Sequence, residues 1–334
     1  MKAYLQATAF YLPETVLSNN ELNQLYPEWS VEKIAEKTGI VNRHIAGKDE
    51  YVSDMAIAAA KRLFETHPGA AENIDFVILC TQSPDYMLPT TACIIQEKLG
   101  ISTKAGALDF NLGCSGYIYG LAIAKGLIAA NIAKKILLLT ADTYTKYIHE
   151  MDKSNKTIFG DAATATIVAN EGIAEIGEFE LGSDGKGAEN LIVKEGGSKA
   201  PVLTFQEETD QYGNVHSSSC LYMNGPEIFT FTSRAVPGLV NETMVKNRLD
   251  MEHTDLFIFH QANLYMLNHL RKKIKIPDEK FFVYIENTGN TVSSTIPIAL
   301  AKAIEYGQIK EGNKVLLAGF GVGYSWGGTV LHFQ

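Results

Sequence analysis

The sequence has few cysteines, and none is spaced like a metal ligand. Only four occur in 334 residues, at positions 80, 93, 114 and 220. No Cys-x-x-Cys pair and no Cys/His spacing typical of zinc sites is present. We therefore expect neither structural zinc nor a disulfide framework.

The chain also lacks an excess of positive charge, a signal peptide and an apolar run of membrane length. Its formal net charge of -9 argues against a general nucleic-acid binder, so any basic partner surface has to be local. Residues 1–10 have neither the basic region nor the apolar core of a signal peptide. No apolar run approaches the ~20 residues of a membrane span. We expect a protein of the reducing cytoplasm with no membrane span and no nucleic-acid partner.

What the chain does have is enough apolar sequence, 46% of its residues, to bury a large α/β core. Its second half repeats the strand pattern of the first at similar spacing. The matched pairs are 76–79 with 256–259, 108–110 with 281–285, 136–139 with 315–318, and 162–169 with 328–333. This pattern predicts a duplicated α/β unit with buried, mostly parallel strands. We expect the two halves to be residues 1–172 and 173–334.

The stretch from Leu108 to Tyr117 stands at the centre of this organisation. An apolar run ends at Asn111, a glycine turn follows, and Cys114 appears where a helical pattern begins. The field of a helix N-terminus favours thiolate over thiol, which makes Cys114 a candidate nucleophile. The alternative is a packed core cysteine, the commoner fate of a free cysteine.

Two further polar residues follow predicted strands in the second half. His260 and Asn290 lie just beyond strand ends, where functional groups of α/β sheets gather, so we expect them to share a crevice with Cys114. A histidine and an asparagine amide are donors that suit an enolate, such as the one that decarboxylation of a malonyl thioester produces. Cysteine proteases use the same residue types. A core histidine and a turn asparagine remain the alternatives for these two residues.

The glycine-rich stretch 319–328 resembles a dinucleotide fingerprint only superficially. That motif opens a helix after a strand, whereas this one precedes the last predicted strand, so NAD or FAD binding is rejected. Glycines let a loop approach closely, and a backbone amide aimed at an oxyanion is the more plausible use.

Taken together, these motifs resemble the β-ketoacyl-acyl-carrier-protein synthase III family of the thiolase superfamily over nearly the whole chain. Each motif is weak alone, and the set is specific. The set comprises Lys37-Thr38-Gly39-Ile40, Arg43-His44-Ile45-Ala46, Gly113-Cys114-Ser115-Gly116, Phe159-Gly160-Asp161, His260-Gln261-Ala262-Asn263, Gly289-Asn290-Thr291 and Ser325-Trp326-Gly327-Gly328.

The resemblance implies a five-layered αβαβα thiolase-like fold, a homodimer, and no cofactor besides the coenzyme A thioester that serves as substrate. It implies that Cys114 takes an acyl group from acyl-CoA, and that malonyl-acyl-carrier-protein then loses carbon dioxide and attacks the acyl-enzyme. His260 and Asn290 would stabilise the enolate oxygen. The backbone amides of Cys114 and Val322 would form the other oxyanion hole; the family more often has glycine at position 322.

The same resemblance assigns substrate contacts. Trp29 would stack on the CoA adenine opposite Lys153, which replaces the family's arginine; an exposed-helix anchor of the fold is the alternative for Trp29. Asn263 and Phe320 fall at the substrate site. Leu88 takes the place of a large aromatic that the partner subunit contributes to the acyl pocket, which predicts a pocket wider than an acetyl-specific one unless Tyr86 or Met87 fills the space.

The carrier protein is acidic, and the family docks it on basic residues after the His260 motif. The corresponding residues here are Arg234, Arg271, Lys272 and Lys273; ordinary solvated helix charge is the alternative.

Two other functions stay open at this stage. An acyltransferase could pass the acyl group from Cys114 to an oxygen or nitrogen nucleophile without decarboxylation. A non-enzymatic subunit could bind acyl-CoA or carrier protein, although such a subunit has no need of the Cys-His-Asn set.

Overall fold

The computed structural model describes residues 1–209, 213 and 215–334, and helices alternate with strands along the chain. The helices are α1 Asn19–Leu25, α2 Val31–Thr38, α3 Val52–Thr66, α4 Thr91–Lys98, α5 Gly116–Ala129, α6 Lys153–Lys156, α7 Gly225–Lys246, α8 Leu264–Ile274 and α9 Thr295–Glu305. Short 3-10 helices lie at Tyr144–Tyr147, Gly185–Asn190, Asp278–Lys280 and Val292–Ser294.

The strands are β1 Tyr4–Tyr11, β2 Thr15–Ser18, β3 Asn42–Ile45, β4 Phe76–Cys80, β5 Gly106–Phe110, β6 Lys135–Asp142, β7 Ala162–Ala169, β8 Ala174–Ile176, β9 Glu180–Ser183, β10 Leu191–Ile192, β11 Glu207–Thr209, β12 Val215–Ser217, β13 Tyr222–Met223, β14 Leu256–Phe259, β15 Phe281–Phe282, β16 Lys314–Gly321 and β17 Ser325–Phe333. Within the segment 177–220, which the sequence predicts to be strand edges and loops, the described residues form short strands and one 3-10 helix, and β9 pairs with β17. Residues 210–212 and 214 of this segment lie outside the described residues.

The large sheet has the same strand order in both halves of the chain. Eleven strands are connected, in the order β15-β14-β16-β17-β8-β1-β7-β6-β4-β5, with β9 attached to β17. Read outward from the β8–β1 pair, β17, β16, β14 and β15 occupy the places that β7, β6, β4 and β5 occupy on the other side. The strands that the sequence pattern matches are the same pairs: β4 with β14, β5 with β15, β6 with β16 and β7 with β17. The division of the chain at residue 172 stays a prediction.

The expectation of mostly parallel strands is wrong. β4 pairs in parallel with β5 and β6, and β14 with β15 and β16, but every other pair in this sheet is antiparallel. Strands buried on both faces give continuous apolar runs in either direction, as the fully buried β7 does, so the sequence pattern does not report strand direction.

The packing of the helices produces five layers. α5 and α9 lie in the middle, because α5 packs on β4, β6 and β7 as well as on β16 and β17, and α9 packs on β1 and on β14. α3 and α4 cover the outer face of the first half, and α7 with α8 covers the second half from the other side. The order is therefore helices, sheet, helices, sheet, helices.

Trp29 lies between α1 and α2, on neither helix, and is half-buried beside Tyr26. Within the described residues, no helix combines the length and the apolar character needed to cross a membrane.

Candidate active site

Cys114 occupies the turn between β5 and α5, as the sequence predicts. Its side chain is buried, with 6% of the residue exposed. The turn closes with a hydrogen bond from the N–H of Gly116 to the carbonyl of Gly113, 2.7 Å long. A Cβ atom at Gly116 would lie 2.2 Å from the sulfur of Cys80, so α5 can begin this close to β4 only with glycine at its first position.

The field of the helix N-terminus, which favours thiolate, does not decide the protonation state of Cys114. Burial raises the pKa of the Cys114 thiol to about 12, although the backbone N–H of Val322 donates to its sulfur and opposes this rise. Desolvation disfavours the charged form more than the helix N-terminus and the amide favour it. Cys114 is therefore a buried thiol at neutral pH.

The end of β16 covers the sulfur. A Cβ atom at Gly321 would lie 2.7 Å from both Cβ and Sγ of Cys114, and one at Gly319 would lie 2.8 Å from the Cys114 carbonyl. These two glycines bring the β16 backbone against the nucleophile and place the N–H of Val322 on its sulfur. The glycine-rich stretch thus puts a backbone donor at Cys114, the arrangement that an oxyanion hole requires.

His260 follows β14 and is 2% exposed. Its Nδ1 lies 2.7 Å from the hydroxyl of Thr295, at the start of α9. Burial lowers the pKa of His260 to about 3, so the imidazole is neutral at physiological pH. The ring of Phe320 meets the imidazole edge to face with centroids 5.9 Å apart; a contact of Phe320 with substrate stays a prediction.

Asn290 is held with its side-chain oxygen toward its own loop. Its Oδ1 accepts the N–H of Val292 at 3.0 Å, which leaves the NH₂ group for another partner. Its backbone N–H donates to the carbonyl of Ile158 at 2.9 Å, and its carbonyl accepts the N–H of Gly160 at 3.1 Å.

Shared neighbours connect the predicted residues into one buried region. A Cβ atom at Gly113 would lie 2.7 Å from a methyl carbon of Val322 and 3.2 Å from one of Val292, so the Cys114 turn contacts both loops. The backbone N–H of Val292 donates to the side chain of Asn290. Phe320 contacts the His260 ring and directly precedes Gly321, whose backbone lies against Cys114. Cys114, Val292 and Phe320 belong to one hydrophobic cluster.

Polar residues that sequence reasoning missed also surround the nucleophile. Asp142, fully buried at the end of β6, accepts the N–H of Gln82 at 2.8 Å and the hydroxyl of Ser293. Burial raises the pKa of Asp142 to about 7. The hydroxyl of Tyr144 donates to the carboxamide of Gln82. The sequence did contain a signal for Asp142, because it is a polar residue at the carboxyl end of a buried strand. The same position identified Cys114, His260 and Asn290 as candidates.

Lys153 contacts residues that neighbour Trp29 in sequence; a ligand shared by Trp29 and Lys153 stays a prediction. Lys153 forms an ion pair with Glu28, the residue before Trp29, and its Nζ lies 5.9 Å from the ring centre of Tyr26. Lys33 and Lys37 each place Nζ 5.6 Å from the Trp29 ring centre. The cluster presents an aromatic face rimmed by cations.

The remaining substrate residues are placed differently. Asn263 caps α8, its Oδ1 accepting the N–H of Met266 at 2.8 Å, so it has a structural role whether or not it contacts substrate. Leu88 is 82% exposed, and its neighbours Tyr86 and Met87 are exposed as well. The Leu88 loop is an apolar surface without a cover in the single chain.

The basic residues expected to dock a carrier protein separate into two environments. Arg234 and Lys273 line one surface cavity of about 470 Å³ together with Phe229. Arg271 instead forms an ion pair with Asp278, and Lys272 is exposed in the last turn of α8.

Comparisons with known proteins agree with this architecture. The family model 3-Oxoacyl-[acyl-carrier-protein (ACP)] synthase III matches residues 108–185, and the model of its C terminal matches residues 244–333. The beta-ketoacyl-[acyl-carrier-protein] synthase III of Syntrophomonas wolfei subsp. wolfei is 36% identical over 335 residues, covering 100% of this chain and 98% of that protein.

Solved structures show the same relationship. A crystal structure of a 3-oxoacyl-(acyl-carrier-protein) synthase III has 50% identity and a TM-score of 0.97, with 100% of both chains covered. The synthase III from Thermus thermophilus has 37% identity and a TM-score of 0.88, with 99% of both chains covered. These matches confirm the predicted thiolase-like fold. The chain belongs to the β-ketoacyl-[acyl-carrier-protein] synthase III family.

Proposed function

We propose that this protein condenses an acyl-CoA primer with malonyl-acyl-carrier-protein, with loss of carbon dioxide, through an acyl-Cys114 intermediate. The observation that carries the proposal is the packing at the sulfur. The β16 backbone lies so close that a Cβ atom at Gly321 would be 2.7 Å from Sγ of the buried Cys114, and the amide of the next residue, Val322, favours negative charge on that sulfur. When an acyl group replaces the thiol proton, its carbonyl oxygen takes the place next to that amide and the amide of Cys114.

In the first half-reaction Sγ attacks the thioester carbonyl of acyl-CoA. The new bond joins sulfur to the acyl carbon, the carbon–sulfur bond to coenzyme A breaks, and the departing sulfur takes up the thiol proton. A thiol with a pKa of about 12 is mostly protonated at neutral pH, so proton loss accompanies attack.

In the second half-reaction the malonyl group on the carrier protein loses carbon dioxide, and the electron pair of the broken bond forms an enolate. The NH₂ group of Asn290 is free to donate to the enolate oxygen. The hydroxyl of Thr295 is nearer to Nδ1 of His260, at 2.7 Å, than to the carbonyl of Val292, at 3.1 Å. If it donates to Nδ1, the imidazole proton lies on Nε2 as a second donor. The carbanion attacks the acyl carbon of acyl-Cys114, the carbon–sulfur bond to Cys114 breaks, and the β-ketoacyl product leaves. The released sulfur takes up one proton from solvent, which regenerates the thiol.

The substrate and partner surfaces follow from the same family. The Trp29 and Lys153 cluster would receive the CoA nucleotide, and the cavity of Arg234 and Lys273 would receive the acidic carrier protein. The exposed Leu88 loop and the free edge of β5 support a homodimer, because apolar side chains and unpaired strand groups of this kind are usually covered. We place this chemistry in the cytoplasm.

Two measurements on the purified protein test the proposal. Intact mass spectrometry after incubation with acetyl-, butyryl- or octanoyl-CoA should detect one acyl group on Cys114, absent in the Cys114→Ser variant. Malonyl-acyl-carrier-protein should then release carbon dioxide and give a β-ketoacyl product. Acylation followed by transfer to an oxygen or nitrogen acceptor, without carbon dioxide, would contradict condensation. Binding of acyl-CoA without acylation would indicate a binding subunit.

A further inference from the structure

Three of the sequence motifs that mark the family lie far apart in the chain and meet around Asn290. Arg43 lies on β3, and residues 157–161, called the strap here, connect α6 to β7. The third motif is the turn Gly289-Asn290-Thr291. None of the chemistry assigned above uses Arg43 or the strap.

The strap holds Asn290 by its backbone. The N–H of Asn290 donates to the carbonyl of Ile158 at 2.9 Å, and the N–H of Gly160 donates to the carbonyl of Asn290 at 3.1 Å. A Cβ atom at Gly160 would lie 2.5 Å from the carbonyl oxygen of Thr288, so the two segments also touch beside this bridge. Any shift of the strap therefore shifts Asn290.

Arg43 in turn holds the strap. Its Nε and Nη2 donate to the carbonyl of Thr157 at 3.0 Å and 2.5 Å, and its Nη1 donates to Oδ1 of Asn19 at 2.5 Å. A Cβ atom at Gly289 would lie 3.0 Å from Cγ of Arg43 and 2.9 Å from the carbonyl of Ile158. The arginine thus contacts the strap and the asparagine turn at once.

Burying the Arg43 guanidinium costs free energy of folding. Arg43 is fully buried, and burial lowers the pKa of its guanidinium to about 9, with no carboxylate of the described residues contributing to that shift. A buried cation is tolerated only when its donors are satisfied, and here neutral oxygens satisfy them. A side chain that only filled space would not need a charge at this position.

We propose that Arg43 is a positioning residue for Asn290. Its hydrogen bonds to the Thr157 carbonyl hold the strap in place. The strap in turn holds the backbone of Asn290, and this sets the position from which the Asn290 side-chain amide donates to the thioester oxygen. This inference rests on the role given to Asn290 in the proposed function. It assigns Arg43 to the decarboxylation step and not to the acylation of Cys114.

The test measures the two half-reactions separately in Arg43→Met and Arg43→Lys. Acylation of Cys114 by butyryl-CoA, followed by intact mass, serves as the report on correct folding. We expect Arg43→Met to acylate within about twofold of the wild-type rate and to release carbon dioxide from malonyl-acyl-carrier-protein about 100-fold more slowly. Lysine keeps the charge but lacks the planar fork that reaches Thr157 and Asn19 at once, so Arg43→Lys should recover about tenfold of that loss.

Three further variants make the result decisive. Asn290→Ala should show the same split between the half-reactions. Gly160→Ala, which keeps Arg43 but presses the strap away from the Thr288 carbonyl, should show it too. If Arg43→Met does not fold, Arg43→Lys carries the test. Thr166→Val loses fully buried hydroxyl contacts on β7, to Thr8 and Tyr117, and should change neither rate.

Equal slowing of both half-reactions in the Arg43 variants, or no slowing of either, would overturn the positioning role. If Asn290→Ala slows decarboxylation but the Arg43 variants do not, the positioning role alone fails. If Asn290→Ala releases carbon dioxide at the wild-type rate, the proposed role of Asn290 fails and the role of Arg43 fails with it.

Discussion

The hydroxyl of Thr295 lies 2.7 Å from Nδ1 of His260, and it is the polar side-chain contact that orients this buried imidazole. Because Thr295 begins α9 and His260 follows β14, the contact fixes the ring against the central helix layer. The nitrogen that carries the imidazole proton depends on which partner the Thr295 hydroxyl donates to.

Replacing Thr295 by valine should therefore slow decarboxylation while leaving acylation of Cys114 intact. Valine keeps the shape of threonine but cannot bond to Nδ1, so the ring loses its preferred tautomer and orientation. We expect carbon dioxide release to fall about 10- to 100-fold. Thr295→Ser, which keeps the hydroxyl, should retain most of the rate. Single-turnover measurements of both half-reactions check this, and equal rates for the valine and serine variants would contradict it.

Gly321→Ala should block the nucleophile. The added methyl group would lie 2.7 Å from Cβ and Sγ of Cys114, closer than a Cβ atom approaches other non-bonded heavy atoms. We expect acylation to fall at least about 100-fold, with a stability loss of about 1–3 kcal/mol from overpacking.

Gly126→Ala is the matched control for this substitution. Gly126 lies exposed within α5, and a Cβ atom there would meet nothing within 4 Å. Alanine should keep full acylation and raise stability by about 0.5–1 kcal/mol. Thermal unfolding and intact mass on both variants measure the two effects, and normal acylation of Gly321→Ala would show that the β16 backbone is not closed on the sulfur.

The parts of this site that the sequence predicts are those encoded locally. Consecutive residues around Cys114 predict a strand end, a glycine turn and the start of a helix. A local apolar run likewise predicts the strand that precedes His260. The repeat of the strand pattern was visible because buried strands give apolar runs at similar spacing in both halves. Strand direction was not visible, since an apolar run reads the same in a parallel and an antiparallel pair.

The resting state of Cys114 could not be predicted from its neighbours in sequence. The helix N-terminus argued for thiolate, but the backbone of Gly321, some 200 residues later, packs against the sulfur, and burial reverses the sign of the pKa shift. The contacts of Thr295 with His260, and of Arg43 with Thr157, are likewise long-range. Side-chain partners of this kind follow from the packing of layers and leave no periodic signal in the chain.

His260 should make folding stability depend on pH. Its pKa is about 3 in the folded protein, below the usual 6.5. Between these two pH values the unfolded chain therefore binds a proton at this histidine that the folded chain does not bind. The contribution of the neutral His260 to the free energy of unfolding is fully present above pH 6.5 and is lost as the pH falls toward 3. Relative to His260→Asn, the wild type should lose about 2–3 kcal/mol between pH 6.5 and 4.5. Urea unfolding at both pH values checks this; parallel curves would contradict a buried neutral imidazole.

The neutral imidazole also predicts the pH profile of decarboxylation. With a pKa of about 3, His260 keeps the same protonation state from pH 5 to 8. Single-turnover carbon dioxide release should then show no inflection near pH 6.5, the value of an ordinary histidine, that depends on His260. An inflection there that disappears in His260→Asn would show that the imidazole is solvated during the reaction.

Trp29→Ala should weaken the recognition of coenzyme A without affecting the chemistry. Loss of an aromatic stacking surface is worth about 0.5–1.5 kcal/mol, so KM for acyl-CoA should rise about 2- to 12-fold at unchanged kcat. Acyl-pantetheine, which lacks the nucleotide, supplies the control, because its KM should be equal for wild type and variant. Lys153→Arg should lower KM for acyl-CoA, since a planar guanidinium stacks better than an ammonium group. An equal rise for both substrates would place Trp29 in the fold rather than at the nucleotide.

Leu88→Phe should shift acyl-chain preference toward acetyl. Leu88 is 82% exposed in the single chain, which is costly for a leucine unless a partner subunit covers it. If this loop closes the acyl pocket of the partner, the larger ring shortens that pocket, and the ratio of butyryl to acetyl transfer should fall about tenfold or more. Ile132→Phe, at another exposed apolar residue, should leave the ratio unchanged. Since the effect passes between subunits, it should appear only in the dimer, and sedimentation at the assay concentration shows whether a dimer is present. An unchanged ratio in a Leu88→Phe dimer would mean that the chain's own residues, such as Tyr144 beside Gln82, set the length of the pocket.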